Sequence, residues 1–177
     1  MRTTLLIAAT LLTLSSTSLR AEETIKVSEF TFKFGEPWIR QQTTSSMRAG
    51  QLLYDHKDEK LTDIELVIFF FGAGGGGGIQ ANIDRWLGQF EGTPESKTEE
   101  KEMGGKQVTL LEAKGTFLET MGGGPFSGPK TAKPDYTMLA AILPSDQGAV
   151  FIKVTGPNES VAAMRDAFDA FVASPFE

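Results

Sequence analysis

Between Glu65 and Phe90 the chain reads ELVIFFFGAGGGGGIQANIDRWLGQF, and this stretch narrows the possible folds more than any other. Val67 to Phe71 are five consecutive apolar residues. A strand with no polar face has to be covered on both sides, so it belongs at the centre of a sheet. Ile79, Ile83, Trp86, Leu87 and Phe90 follow at spacings of 4, 3, 1 and 3, one apolar stripe of a helix. A buried strand leading into an amphipathic helix predicts a sheet with helices packed on it.

The glycines between strand and helix need separate treatment. Gly72, Gly74 and Gly77 satisfy G-x-G-x-x-G in the strand-to-helix position where a dinucleotide fingerprint stands. Gly72 to Gly78 holds six glycines in seven residues, however, and so satisfies almost any glycine spacing. A charged stretch separates it from the next strand, no ribose-binding acid stands at the expected distance, and no GK[ST] follows. The expectation is a turn whose backbone passes close to another element, with contact to an anion or small ligand left open. Each glycine costs about 0.5–1 kcal/mol of extra ordering entropy relative to alanine, so the turn is either mobile or held by something.

Upstream, Thr24 to Phe34 alternates in two phases, Ile25 and Val27, then Phe30, Phe32 and Phe34. The slip at Ser28-Glu29 predicts a bulge or two short strands. Ser46 to Tyr54 reads as a further strand and Asp55 to Lys60 as a solvated turn. Downstream, the polar residues 91–106 read as a mobile loop and Gln107 to Leu118 as a strand. Residues 121–135, with four glycines and three prolines, read as loop. Tyr136 to Leu143 and Ala149 to Thr155 form a hairpin around Pro144-Ser145-Asp146-Gln147-Gly148. A last helix starts near Gly156-Pro157, capped by Asn158 or Ser160, with Val161, Met164, Phe168, Phe171 and Val172 as its stripe. The order βββα-βββα with short connections predicts an α+β fold: a mainly antiparallel sheet carrying two principal helices.

The N-terminus carries the features of an export signal. Arg2 gives a basic start, Leu5 to Leu14 an apolar run, and Ser15 to Ala21 a small, polar exit. The apolar run is too short for a bilayer anchor, so cleavage after Ala21 is expected, with Ser18 as the alternative. Residues 22–177 then form one α+β domain, and the net charge moves from −6 to −8 as Arg2 and Arg20 leave. That acidity disfavours nucleic acid as a partner, and no stable membrane insertion is expected after cleavage. The absence of cysteine excludes disulfides, thiolate catalysis and thiolate zinc sites. The expected compartment is periplasmic or extracellular, and no cofactor is called for.

Candidate ligand-contacting residues are those of polar or aromatic character beside the glycine turn: Arg48, Gly74, Gly76, Asn82, Arg85 and Trp86. Arg48 and Arg85 are cations within apolar elements, where pairing with a carboxylate competes with binding an anionic ligand. Trp86 serves either the core or a ligand platform. His56, the one histidine, stands among Asp55, Asp58 and Glu59, a spacing that suits a wet turn better than a metal or catalytic site. Phe126 in the Gly122–Pro129 loop is a further possible contact residue.

Five ordered blocks carry a family resemblance: SSMR (Ser45–Arg48), FFFGAGGGGG (Phe69–Gly78), NIDRWLGQF (Asn82–Phe90), PDYTMLAAIL (Pro134–Leu143) and FIKVTGP (Phe151–Pro157). They resemble a family of uncharacterised exported bacterial proteins with an FGxGxGG…NxxRWxxQF block, over about residues 30–172. More distantly, the strand order and the closing KxxGP-helix unit resemble the Mog1/PsbP-like fold. Members of that fold class are mostly binding or accessory proteins rather than enzymes, but a resemblance of fold carries over neither a function nor a catalytic residue. The expected function is an exported accessory or binding module without an evident catalytic site, contacting a protein or small ligand through its glycine-rich loops. The alternative is a hydrolase working through Asp84 with Arg85 and Arg48 as electrostatic stabilisers.

Overall fold

The computed structural model of the chain describes residues 22–43, 45–120 and 128–177. The export signal with its cleavage point lies outside the described residues, as do Gly122 to Ser127 of the glycine–proline loop. Among the described residues nine strands form two antiparallel sheets. β1 (Glu23–Val27) and β2 (Phe30–Phe34) pair only with each other. β3 (Trp38–Arg40), β4 (Arg48–Tyr54), β5 (Ile64–Phe70), β6 (Glu95–Met103), β7 (Lys106–Thr120), β8 (Lys130–Leu143) and β9 (Val150–Pro157) make a seven-stranded sheet. Its order is β3-β4-β5-β9-β8-β7-β6, so the last strand of the chain lies at the centre. Helix α1 (Ile79–Leu87) packs on one face, and α2 (Asn158–Ala163) with α3 (Arg165–Ala173) on the other. The fold is α+β with a mainly antiparallel sheet.

Side-chain alternation divides the apolar residues into two cores. Leu66 and Ile68 of β5, Leu139 and Ala141 of β8, and Ile152 and Val154 of β9 face the β1–β2 hairpin and α2–α3. There Phe32 stacks on Phe171, ring centroids 5.1 Å apart, and Phe30 meets Phe176 edge-on at 5.6 Å. Aromatic rings without polar atoms fill such a layer and need no hydrogen-bond partner. Their neighbours in sequence point the other way: Met138, Ala140 and Phe151 meet Ile83 and Trp86 of α1, together with Phe90. Lys106 pairs with Glu29 at 2.7 Å and lies over the Phe30 ring, which ties the β6–β7 hairpin to the β1–β2 hairpin.

Several elements differ from the sequence expectation, each for a physical reason. The phase slip at Ser28-Glu29 resolves to the second of its two readings, two short strands. It is a hairpin turn, with Ser28 at φ 55°, and the difference is that the pair forms a sheet of its own. Trp38–Arg40 adds a short edge strand. Within the expected loop 91–106, Glu95–Met103 is β6; paired only with β7 and exposed except at the half-buried Glu99 and Met103, it carries no apolar alternation. Residues 130–135, expected as loop, extend β8. Pro134 and Asp135 form a bulge there, two residues facing Thr116 alone, with Asp135 at φ 57°. Phe71, the last residue of the apolar run, is exposed rather than buried.

Helix α1 stops at Leu87, and Phe90 reaches the same core from beyond the helix, bridged to Phe117. The last helix breaks at Met164. Its expected caps are used elsewhere: Asn158 Oδ1 accepts from Thr137 Oγ1 at 2.7 Å, and Ser160 Oγ accepts from the Thr62 amide at 2.9 Å. Because α1 covers the β7–β9 side of its face, the β4–β5 side, with Glu65, Val67 and Phe69, is left partly open.

Candidate functional site

The glycine turn is a built piece of structure. Gly72, Gly74, Gly76 and Gly77 all have φ between 74° and 81°, and the Gly75 amide donates to the Gly72 carbonyl at 3.1 Å. Asn82, 2% exposed, donates from Nδ2 to the carbonyls of Gly76 and Gly78 at 2.8 and 2.9 Å. Arg85 Nη1 donates to Asn82 Oδ1 at 2.8 Å, fixing the amide's orientation. A side chain at Gly76 would meet the Phe151 ring at 2.7 Å, and one at Gly148 would meet the Gly72 carbonyl oxygen at 2.2 Å. The glycines thus let the backbone pack where a Cβ has no room, and the first helical turn's amide holds the result.

Of the residues chosen from the sequence, Gly76, Asn82 and Arg85 come together in this network. Gly74 lies in the same turn with open space around it. Trp86 is in the core, edge-on to Phe151 at 6.3 Å. Arg48 belongs to a different cluster, donating from Nη1 to Gln51 Oε1 at 2.8 Å and to Glu65 Oε2 at 2.9 Å. Asp84, exposed, accepts from Gln80 at 2.7 Å, so Arg48, Asp84 and Arg85 stand in three separate hydrogen-bond networks. The imidazole Nε2 of His56 is buried without a hydrogen-bond partner among the described residues, and its ring lies against Tyr54. Among the described residues no three His, Cys, Asp or Glu side chains gather as a metal site would require.

The Arg48 cluster borders a groove of about 420 Å³ on the partly open face of the sheet. Its floor is built by alternation: Glu65, Val67 and Phe69 on β5, and Lys153 and Thr155 on β9, where Lys153 stands opposite Val67. Gln89, just past α1, and Phe117 with Tyr136, stacked at 6.2 Å, close the other side. Lys153 Nζ donates to Gln89 Oε1 at 3.1 Å. Burial pushes the Lys153 ammonium down to about 8; the Arg48 cation adds to the fall and the Glu65 carboxylate opposes it. Thr155 Oγ1 is buried with no hydrogen-bond partner among the described residues.

Sequence reasoning did not single out Lys153, Thr155, Gln89 or Glu65. The signal was present: FIKVT puts a lysine into a strand that is otherwise apolar, and a charge there has to face a cleft or a partner. An ammonium held by a neutral amide, a spare hydroxyl and apolar walls can bind a polar or charged group and enclose an apolar one.

No protein-family model matches the chain, and no curated protein matches it in sequence. Solved structures resemble it in fold. The solution structure of cyanobacterial PsbP (CyanoP) from Synechocystis aligns with a TM-score of 0.53 at 10% identity, covering 93% of this chain and 96% of that one. LpqN of Mycobacterium tuberculosis, involved in cell envelope biogenesis, gives 0.49 at 13% identity, covering 79% and 78%. A Pseudomonas aeruginosa protein of unknown function gives 0.46 at 9%, covering 86% and 94%. The first likeness establishes the architecture: the chain has a PsbP-like α+β fold. At such identity it says nothing of activity.

Proposed function

We propose that this chain is an exported accessory or binding module that acts without catalysis and holds a protein partner or small ligand at the glycine-rich end of its sheet. One observation carries the reading: the glycine turn is fixed by Asn82, yet large apolar side chains stand exposed at both its ends. Phe71 is 45% exposed and Ile79 41%. Met47, exposed as well, precedes β4, whose first residue pairs with Phe69, so it lies at the same end. Apolar side chains on a pre-ordered backbone offer contact area without an ordering cost on binding. Arg48, Asp84 and Arg85 each bond a different neighbour and not one another, which favours a binding module over the hydrolase alternative. Support for export comes from the Arg2, Leu5–Leu14 and Ala21 pattern; among the described residues no helix is long and apolar enough to cross a membrane.

A photo-crosslinking residue at Phe71 or Ile79, in cells that make the protein, tests the contact. The same discrete adduct is expected from both positions and none from Glu159, which is exposed on α2. Adducts of equal yield from all three positions, or from none, would overturn the assignment. Mass spectrometry of the protein recovered from the envelope should show a chain beginning at Glu22, or at Leu19 on the alternative cleavage.

A further inference from the structure

The groove on the partly open face is distinct from the glycine turn, and one of its charges has no ion-pair partner among the described residues. Arg48 is paired with Glu65 and also bonds Gln51. Glu119, at the upper rim, pairs with Lys133 at 3.4 Å. Tyr136 contributes a neutral phenol on the β8 side. Lys153 is the exception among the charged residues lining the groove, because its one hydrogen-bond partner among the described residues is the neutral amide of Gln89. An ammonium has three donors, so two remain. Two residues along β9, on the same face, the Thr155 hydroxyl has no hydrogen-bond partner among the described residues.

We infer that this groove binds a small amphipathic monocarboxylate, its head group between Lys153 and Thr155 and its apolar body along Val67, Phe69 and Phe117. A single uncompensated positive charge calls for a single negative one. A dianion such as phosphate would need a second unpaired cation, and the Arg48 charge is paired with Glu65. A carboxylate has two oxygens, one for the ammonium and one for the hydroxyl, and charge-assisted bonds of this kind are the strong ones. The cleft volume falls in the range of small-molecule sites, and the three apolar residues provide a wall that a bare inorganic anion would leave unused. The depressed Lys153 titration fits the same picture: a desolvated ammonium lacks a counter-ion, and a bound carboxylate would restore it toward its ordinary range.

Isothermal titration of the exported protein with octanoate, and with 4-phenylbutyrate as an aromatic analogue, tests this directly. Octan-1-ol serves as the body without the charge, and inorganic phosphate as a charge without the body. Saturable binding of a carboxylate is expected, at least tenfold weaker in Lys153→Met and kept within a few-fold in Lys153→Arg. Thr155→Val should weaken it several-fold, with Thr155→Ser close to the parent. Affinity should fall at least tenfold between pH 7 and pH 10 as Lys153 loses its proton, and near pH 8 binding should take up a proton. Lys153→Met removes a desolvated charge, so loss of binding with an unchanged or raised melting temperature reads the site and not the fold. Octanol binding as tightly as octanoate, phosphate binding equally well, or an unaffected Lys153→Met would each overturn the inference. So would no octanoate binding up to roughly 10 mM, a Kd too weak to be functional. A blank octanoate titration leaves the crosslinking pattern at the glycine turn untouched, so the two readings fail separately.

Discussion

A methyl group at position 76 has nowhere to go. Gly76→Ala would put a Cβ 2.7 Å from the Phe151 ring and 3.0 Å from that of Phe71, on a backbone at φ 81°. The left-handed conformation alone costs a non-glycine residue about 1–2 kcal/mol, and forcing a carbon into a packed site adds about 1–3 kcal/mol. Gly74→Ala has the same backbone problem and open space around it, so it should cost only about 1–2 kcal/mol. Thermal or urea unfolding of the two variants separates strain from collision: equal losses would mean that the Phe151 contact yields freely. Lys153 gives a second residue-scale prediction. Its ordinary value is 10.5 and the folded chain holds it near 8. Below about 8 both states carry the proton and the fold bears the full desolvation cost; above about 10.5 neither does. Stability should therefore rise as pH increases from 8 to 10.5, by about 2 kcal/mol after allowance for partial exposure, and this rise should vanish in Lys153→Met. Denaturant midpoints at pH 7, 9 and 10.5 measure it. Asn82 and Arg85 could be found from sequence because they stand beside the glycines. Lys153 could not be paired with Gln89, because 64 residues and one strand pairing separate them.

At the scale of elements, what was legible followed burial. The apolar runs of β5, β8 and β9 and Ile83 and Trp86 of α1 are imprinted by the two cores, so these elements could be read directly. Phe71 and Ile79, read as part of the same patterns, are exposed. β6 is imprinted by nothing: ESKTEEKEM is exposed or half-exposed throughout, and its strand state is dictated by β7 beside it. A hairpin of that kind has the composition of a loop. Its charges guard the open edge of the sheet, where unpaired backbone groups invite another strand. Glu100→Val with Glu102→Val should therefore change stability by less than about 0.5 kcal/mol per site while making the protein associate as its concentration rises. Sedimentation or light scattering reads the second effect. A variant that stayed monomeric would show that shape, not charge, protects that edge.

The molecule as a whole is closed by its ends. The first strands and the last helices share one core, with Phe32 on Phe171, and the central position of the sheet belongs to the last strand, β9. A chain ending at Ala149 would keep every residue of β1–β8 and still lose both partners' pairing at the centre, β5 with β9 and β8 with β9. Such a truncation should show no cooperative thermal transition and should be cut rapidly by protease, where the parent is resistant. The fold class was open to sequence reasoning because hairpins and helices are local; the placement of β9 between β5 and β8 was not, because it is set only when distant segments meet.

The late position of that strand also sets a clock. A polypeptide threaded through a membrane from its first residue delivers β1 to β5, then β6 to β8, as two halves that each present an unfilled edge. Neither half can complete the sheet until residues 150–157 have crossed. If the chain is exported from its N-terminus, as proposed above, the sheet can close only after β9 has crossed, so a strand that arrives late locks what came before.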